Sequence, residues 1–330
     1  MSKKLILRIV LNSVLGVVLV LLWSKFVDLG EIGKTLATVD LKFIALLFVF
    51  FILSTFLRSL RLKILLKEYK IPLKDISMLH FLSQFLSFMI PIRAGEIAKS
   101  VYLNSQFNLP LGKTVVWIFV DRFQDFWAVL FLISFFLLFV PTALSADLAR
   151  IIFILLIILT LVALFFIKSQ HIAKRFVNFL SQLLIVNNIK RWFLSFSHTI
   201  IDGFEVLHRS PGEFLVLILL SIVATISDSF IWFFIFSSLG VDLGLAKTIL
   251  GNSLSALTFL IPAAPGYVGS AEAAGLAVFS GILGLENNLA SAATVIFHIF
   301  FIISLPVFGV VSLYFLKFDL RLVWKKIRGK

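Results

Sequence analysis

Apolar residues run along this chain in long blocks, cut by short polar stretches. Leu5–Val27, Phe43–Leu60, Thr114–Val140, Ile151–Ile167, Glu213–Leu239 and Leu289–Phe315 each reach the roughly 17 or more residues that an α-helix needs to cross a bilayer. Ile76–Ile90 and Thr248–Ile261 are as apolar but only about 15 residues long, short of a crossing. Each of these short blocks ends at a break. The first is Ile90-Pro-Ile-Arg-Ala-Gly-Glu-Ile-Ala-Lys99, and the second is Ile261-Pro-Ala-Ala-Pro-Gly-Tyr-Val-Gly-Ser-Ala-Glu272. Proline followed closely by glycine interrupts a helix. The pattern therefore predicts about six full transmembrane helices plus two re-entrant broken helices. Val101–Leu111, with Asn104, Gln106, Asn108 and Pro110, reads as a loop, and so does the mixed-charge stretch from Asp28 to Lys42. In the long connection 168–212, Phe176, Phe179, Leu180, Leu183 and Leu184 recur at helical spacing, the pattern of a helix lying along a membrane surface.

Composition gives the same class. Of the 330 residues, 60% are hydrophobic and 14% charged, against roughly 25% charged in soluble proteins. The fold class is an all-α polytopic membrane protein, a single transmembrane domain over 1–330. The absence of cysteine excludes disulfides and thiolate metal sites. The sequence has no metal-ligand cluster, nucleophile motif, Walker loop or dinucleotide fingerprint. No cofactor, no metal and no enzymatic activity are expected. The net charge of +13 fits cytoplasmic loops held against anionic lipid headgroups rather than nucleic acid. The basic N-terminus and the apolar run to Trp23 imitate a signal peptide, but the run is too long and lacks a small-residue cleavage site, so it reads as the first span.

Charge placement orients the spans. If both short segments crossed, the basic 168–212 connection would fall outside, against the positive-inside rule. If each dips in and returns, the N-terminus, the Arg58–Lys74 run, 168–212 and the tail all lie on one side, read as cytoplasmic at the plasma (inner) membrane. The first half, about 1–149, then crosses three times. The second, about 150–330, is inverted relative to it, with Pro91 and Pro262 half a chain apart. Inverted repeats with broken helices meeting near the midplane are a transporter design.

Intramembrane charge marks the candidate site. Arg93, Glu96 and Lys99 stand three apart, on one helical face after Pro91. They read as a polar lining for an anionic headgroup, or as a pair that ties the hairpin. Asp121 and Asp125 share a face beside Arg122, roughly 10–17 Å into their span. Arg122 has two readings, a bidentate phosphate contact or an internal salt bridge. Arg58 and Arg61 read as topological anchors or as collectors of headgroups. Pro262, Pro265, Gly266 and Gly269 shape the second break, whose freed backbone N–H groups suit an anion. Glu272 is a partner for a basic residue of the first hairpin or a proton carrier. Asp228, alone in its span, is a partner for Arg122 or a proton carrier. His298 is a hydrogen-bonded packing histidine or a relay.

The order Arg58-x-x-Arg61, Pro91-x-Arg93-x-Gly95-Glu96, Asp121-Arg122, Pro262-x-x-Pro265-Gly266-x-x-Gly269-x-x-Glu272 resembles the lysylphosphatidylglycerol synthase transmembrane-region family, also called flippase-like proteins. Leu62 stands where that family often has Trp, and His298 where its last span often has Arg. The resemblance implies translocation of an anionic, aminoacylated or polyprenyl-linked lipid. It does not imply the synthase activity, since only about 14 residues follow the last span and the aminoacyl-transferase domain is expected to be absent. The alternatives are a proton- or ion-coupled transporter of a small soluble anion and an accessory subunit of a lipid-modifying system. Membrane lipids are the expected partners, with a homo-oligomer or a separate lipid-synthesising enzyme as further candidates.

Overall fold

The structure is a computed structural model that describes residues 3–90, 94–168, 170–182, 186–208, 211–258 and 264–319. Among these residues the chain is helical, without strands. The helices in order are α1 (Lys3–Trp23), α2 (Leu29–Ala37), α3 (Lys42–Leu65), α4 (Leu73–Met89), α5 (Ala94–Phe107), α6 (Leu111–Phe136), α7 (Ala146–Lys168), α8 (Gln170–Gln182), α9 (Asn187–His208), α10 (Pro211–Ser238), α11 (Leu245–Thr258), α12 (Ser270–Gly275) and α13 (Asn287–Leu316). A π-helical turn, Leu276–Ile282, continues α12.

Four described stretches are long and apolar enough to cross a membrane: Lys42–Leu65, Ala146–Phe165, Gly212–Ser238 and Asn287–Leu316. Helix α6 has the length, 26 residues, but carries Lys113, Asp121, Arg122 and Asp125. Two stretches expected as loops contain helix. Helix α5 runs on through Asn104 to Phe107, because Tyr102 and Leu103 pack into the core from this segment. It stops where Asn108 takes φ 54° and the Asn104 amide donates to the Leu109 carbonyl. Between Asp28 and Lys42, the Asp28 carboxylate accepts from the N–H groups of Gly30 and Glu31 and so caps α2. In the 168–212 connection, α8 leaves Phe176 and Phe179 exposed while Ala173 and Val177 pack against Ile201 of α9.

The two short segments form antiparallel hairpins. In the first, α5 folds back on α4 so closely that a Cβ at Gly95 would lie 1.9 Å from the Ser83 carbonyl oxygen; only a residue without a side chain permits that approach. In the second, the Phe279 ring lies over Gly251 of α11. The open ends of the hairpins lie at opposite ends of the bundle. Near the first are the Lys67–Glu213 pair and the Tyr102–Phe318 ring contact. Near the second, Asp40 N–H bonds Ser238, Ala143 N–H bonds Ile282, and the Asn287 amide reaches the Phe26 carbonyl. The inner ends of the two hairpins approach each other through described residues on either side. The Phe88 ring, at the end of α4, sits 6.1 Å from the Tyr267 ring, centroid to centroid.

Cross-packing holds the hairpins in place. Helix α4 packs on α13, α11 packs on α6, and α3 packs along α10. In lipid the contacts between apolar helices gain from close packing rather than from leaving water. Aromatic rings supply much of that packing here: Phe51 of α3 meets Phe81 of α4 and Phe300, Phe301 and Phe308 of α13.

Candidate functional site: a charged cavity between two hairpins

A cavity of about 740 Å³ opens where α3, α4, α5, α6, α10, α11 and α13 converge. Six sequence-predicted residues stand in its wall: Arg58, Glu96, Lys99, Arg122, Asp125 and Asp228. Arg61 and Asp121 lie behind that wall, 0% and 1% exposed. Arg93 and Pro262 lie outside the described residues.

The arginines are tied to carboxylates. Arg61 donates from Nε (2.9 Å) and Nη2 (2.6 Å) to Asp121 Oδ1, and from Nη1 to Asp125 Oδ1 (2.6 Å) and Ser221 Oγ (2.8 Å). Arg122 reaches Asp121 Oδ2 at 2.7 Å and Asp125 Oδ2 at 3.0 Å, with its Nε 3.5 Å from Glu96 Oε1. The one-turn spacing of Asp121 and Asp125 on α6 places both carboxylates against α3, where Arg58 and Arg61 sit three apart. Charges at this depth in an apolar bundle are tolerated only when paired.

Asp228 meets Arg58 rather than Arg122. Arg58 clamps it with both terminal nitrogens, at 3.3 Å and 2.5 Å, and comes within 3.6 Å of Asp125. Helices α3 and α10 lie side by side, and this register sets the two residues opposite each other, whereas Arg122 is already taken up on α6 itself. Reversing either charge alone (Arg58→Asp or Asp228→Arg) is expected to cut the yield of folded protein severalfold. Exchanging both is expected to restore it, as read by size-exclusion profile and melting in detergent.

A second cluster lies at the tip of the other hairpin. Pro265 opens a short 3₁₀ turn, and Gly266 and Gly269 take φ of 70° and 78°, values that glycine adopts without strain. Glu272 reaches back to accept from the Gly269 N–H at 2.8 Å. Its other oxygen meets His298 Nδ1, while His298 Nε2 lies 2.6 Å from the Gly266 carbonyl. Among the described residues Glu272 thus partners a histidine of α13, because α12 lies against α13. A carbonyl only accepts, so His298 Nε2 carries a proton. A bond between Nδ1 and the Glu272 oxygen needs one further proton between these two groups.

His80, Ser83, Gln84 and Ser87 of α4 and Asn252 of α11 also line the cavity, and none was singled out from the sequence. The signal was present: those four α4 residues fall at i, i+3, i+4 and i+7, a polar stripe on an apolar helix. Gln84 bonds Thr55 of α3, and Asn252 bonds Thr225 and Ser229 of α10.

No curated protein and no solved structure matches the chain. The family model described as lysylphosphatidylglycerol synthase TM region matches residues 9–309. Set beside the all-helical apolar bundle, that match makes the chain an integral membrane protein that belongs to the lysylphosphatidylglycerol synthase transmembrane-region family.

Proposed function

We propose that the protein carries a lipid headgroup between the two leaflets, sheltering it in the cavity while the acyl chains stay in the bilayer. The observation that supports this best is a charged chamber of about 740 Å³ at the point where two hairpins from opposite ends of an apolar bundle touch. That volume is in the range of ligand sites, roughly 300–1,000 Å³, enough for a headgroup and too small for its tails. Phe119, 39% exposed, stands in the cavity wall beside Phe123 and Phe126. An aromatic flank facing the hydrocarbon favours a lipid over a small soluble anion.

The two halves act in this reading as inverted repeats, one opening toward each leaflet. An interval of 170 positions separates Arg58 from Asp228, and the same interval separates Thr55 from Thr225 and Ser59 from Ser229. A second shared interval separates Glu96 from Glu272 and Arg122 from His298, so the Glu96–Arg122 contact and the Glu272–His298 pair are counterparts. The cytoplasmic side is the one holding both termini and the basic runs, at the plasma (inner) membrane. The Glu272–His298 proton is the candidate for coupling.

Purified protein in liposomes with fluorescent-headgroup lipids tests the reading. Accessibility of the label to an impermeant quencher is expected to show exchange between leaflets at least tenfold faster than in empty vesicles. Equal rates across anionic, zwitterionic and polyprenyl-linked lipids, with and without protein, overturn it.

A further inference from the structure

Lys99 holds a buried ammonium with little to bind. Its side chain is 2% exposed, and its ionic contact among the described residues is Glu96 Oε2 at 3.5 Å. An ammonium carries three N–H donors, and a buried charge left this poorly matched is costly. Three polar atoms of neighbouring residues are in the same condition. Among the described residues, His80 Nε2, Arg122 Nε and Glu96 Oε2 are buried without a hydrogen-bond partner, and His80 itself is 1% exposed. All four residues line the one cavity. The terminal nitrogens of Arg58, Arg61 and Arg122, by contrast, are already engaged by Asp121, Asp125 and Asp228.

We infer that the cavity binds a phosphate ester at Lys99, with His80 and Arg122 donating from Nε2 and Nε to the same group. This rests on the headgroup reading and gives it a chemical class. The terminal nitrogens of the arginines, which look like the anion site, are spent on carboxylates, and the unspent donors belong to residues that line the same cavity as the lysine. Those donors suit the non-bridging oxygens of a phosphate, with the ammonium supplying the compensating charge. Glu96 Oε2, the lone acceptor of the set, takes a hydroxyl or ammonium hydrogen on the alcohol side of the ester. The same chemistry belongs to a phospholipid headgroup and to a soluble phosphate ester, and the two sources separate by experiment.

The full chain is reconstituted as wild type, Lys99→Met and Lys99→Arg. Three probes are followed: labelled phosphatidylglycerol, a glycosyldiacylglycerol with the same label and no phosphate, and glycerol 3-phosphate uptake. Lys99→Met is expected to slow phosphatidylglycerol movement about tenfold, the loss of one charge-assisted contact, and to abolish its advantage over the glycolipid. Lys99→Arg is expected to keep at least half the rate. If wild type moves phosphatidylglycerol and Lys99→Met matches it, the phosphate site is overturned while the headgroup reading stands. If only glycerol 3-phosphate moves, and does so through Lys99, the site stands and the headgroup reading falls. If nothing moves, both fall. Should Lys99→Met not survive purification, His80→Leu serves in its place, with a severalfold loss of phosphate selectivity expected and an unchanged selectivity overturning the site.

Discussion

Asp121→Asn is expected to destabilise the protein by about 3–5 kcal/mol, the cost of leaving a buried charge without its counter-ion. Arg61 is 0% exposed and spends two of its donors on Asp121 Oδ1. The amide keeps the shape and removes the charge. Arg122, which bonds the other oxygen, loses part of its own compensation at the same time. Four groups here are balanced, with Arg61 and Arg122 against Asp121 and Asp125. Removing one of each sign leaves Arg122 and Asp125 at 3.0 Å as a pair. Arg61→Met with Asp121→Leu is therefore expected to recover most of the stability that Asp121→Asn alone loses, since replacing both buried partners with apolar groups is often close to neutral. Thermal melts in one detergent check both. Equal losses in the single and double variants would show that Arg61 acts through Ser221 and Asp125 rather than through Asp121.

Much of the bundle was legible because lipid imposes a simple code: apolar runs of sufficient length cross, and charge inside them clusters. The two Pro–Gly breaks stood out for the same reason, and the short blocks before them implied the hairpins. Helix α5 was hidden because Asn104 and Gln106 look like loop residues; their helix is held by Tyr102 and Leu103, whose partners lie far off in sequence. The pairing of charges was the least legible part. Residue spacing places Asp121 and Asp125 on one face, but it cannot say that Arg58 and Arg61 on α3 will be the groups opposite, nor that Asp228 will take Arg58. Those choices are made by the α3–α10 and α3–α6 packing, a tertiary fact. In the sequence His80 is one polar position in the stripe along α4. Its significance came from the company it keeps at Lys99.

Joining the hairpin tips is expected to stop lipid movement altogether. The chain has no cysteine, so a Phe88→Cys, Tyr267→Cys pair gives a single cross-link on an otherwise unreactive protein. The rings at these positions lie 6.1 Å apart, and Phe88 also faces His298 edge-on at 6.4 Å, so a short thiol-specific cross-linker spans them. If a headgroup passes between the two leaflets through this chamber, the tips must part, because they meet across the route. The cross-linked protein should then exchange labelled lipid no faster than empty vesicles, and a reducible linker should restore the rate once cleaved. The double variant without linker controls for loss of the rings themselves. A variant that cross-links fully and still moves lipid would place the route elsewhere and leave the tips as a fixed structural joint. A pair that does not cross-link at all would contradict the meeting of the two hairpins, on which the cavity depends. The comparison is sharp because the linker changes one distance and leaves every charge in the chamber in place, whereas substitutions at Glu272 or His298 alter packing and proton sharing together.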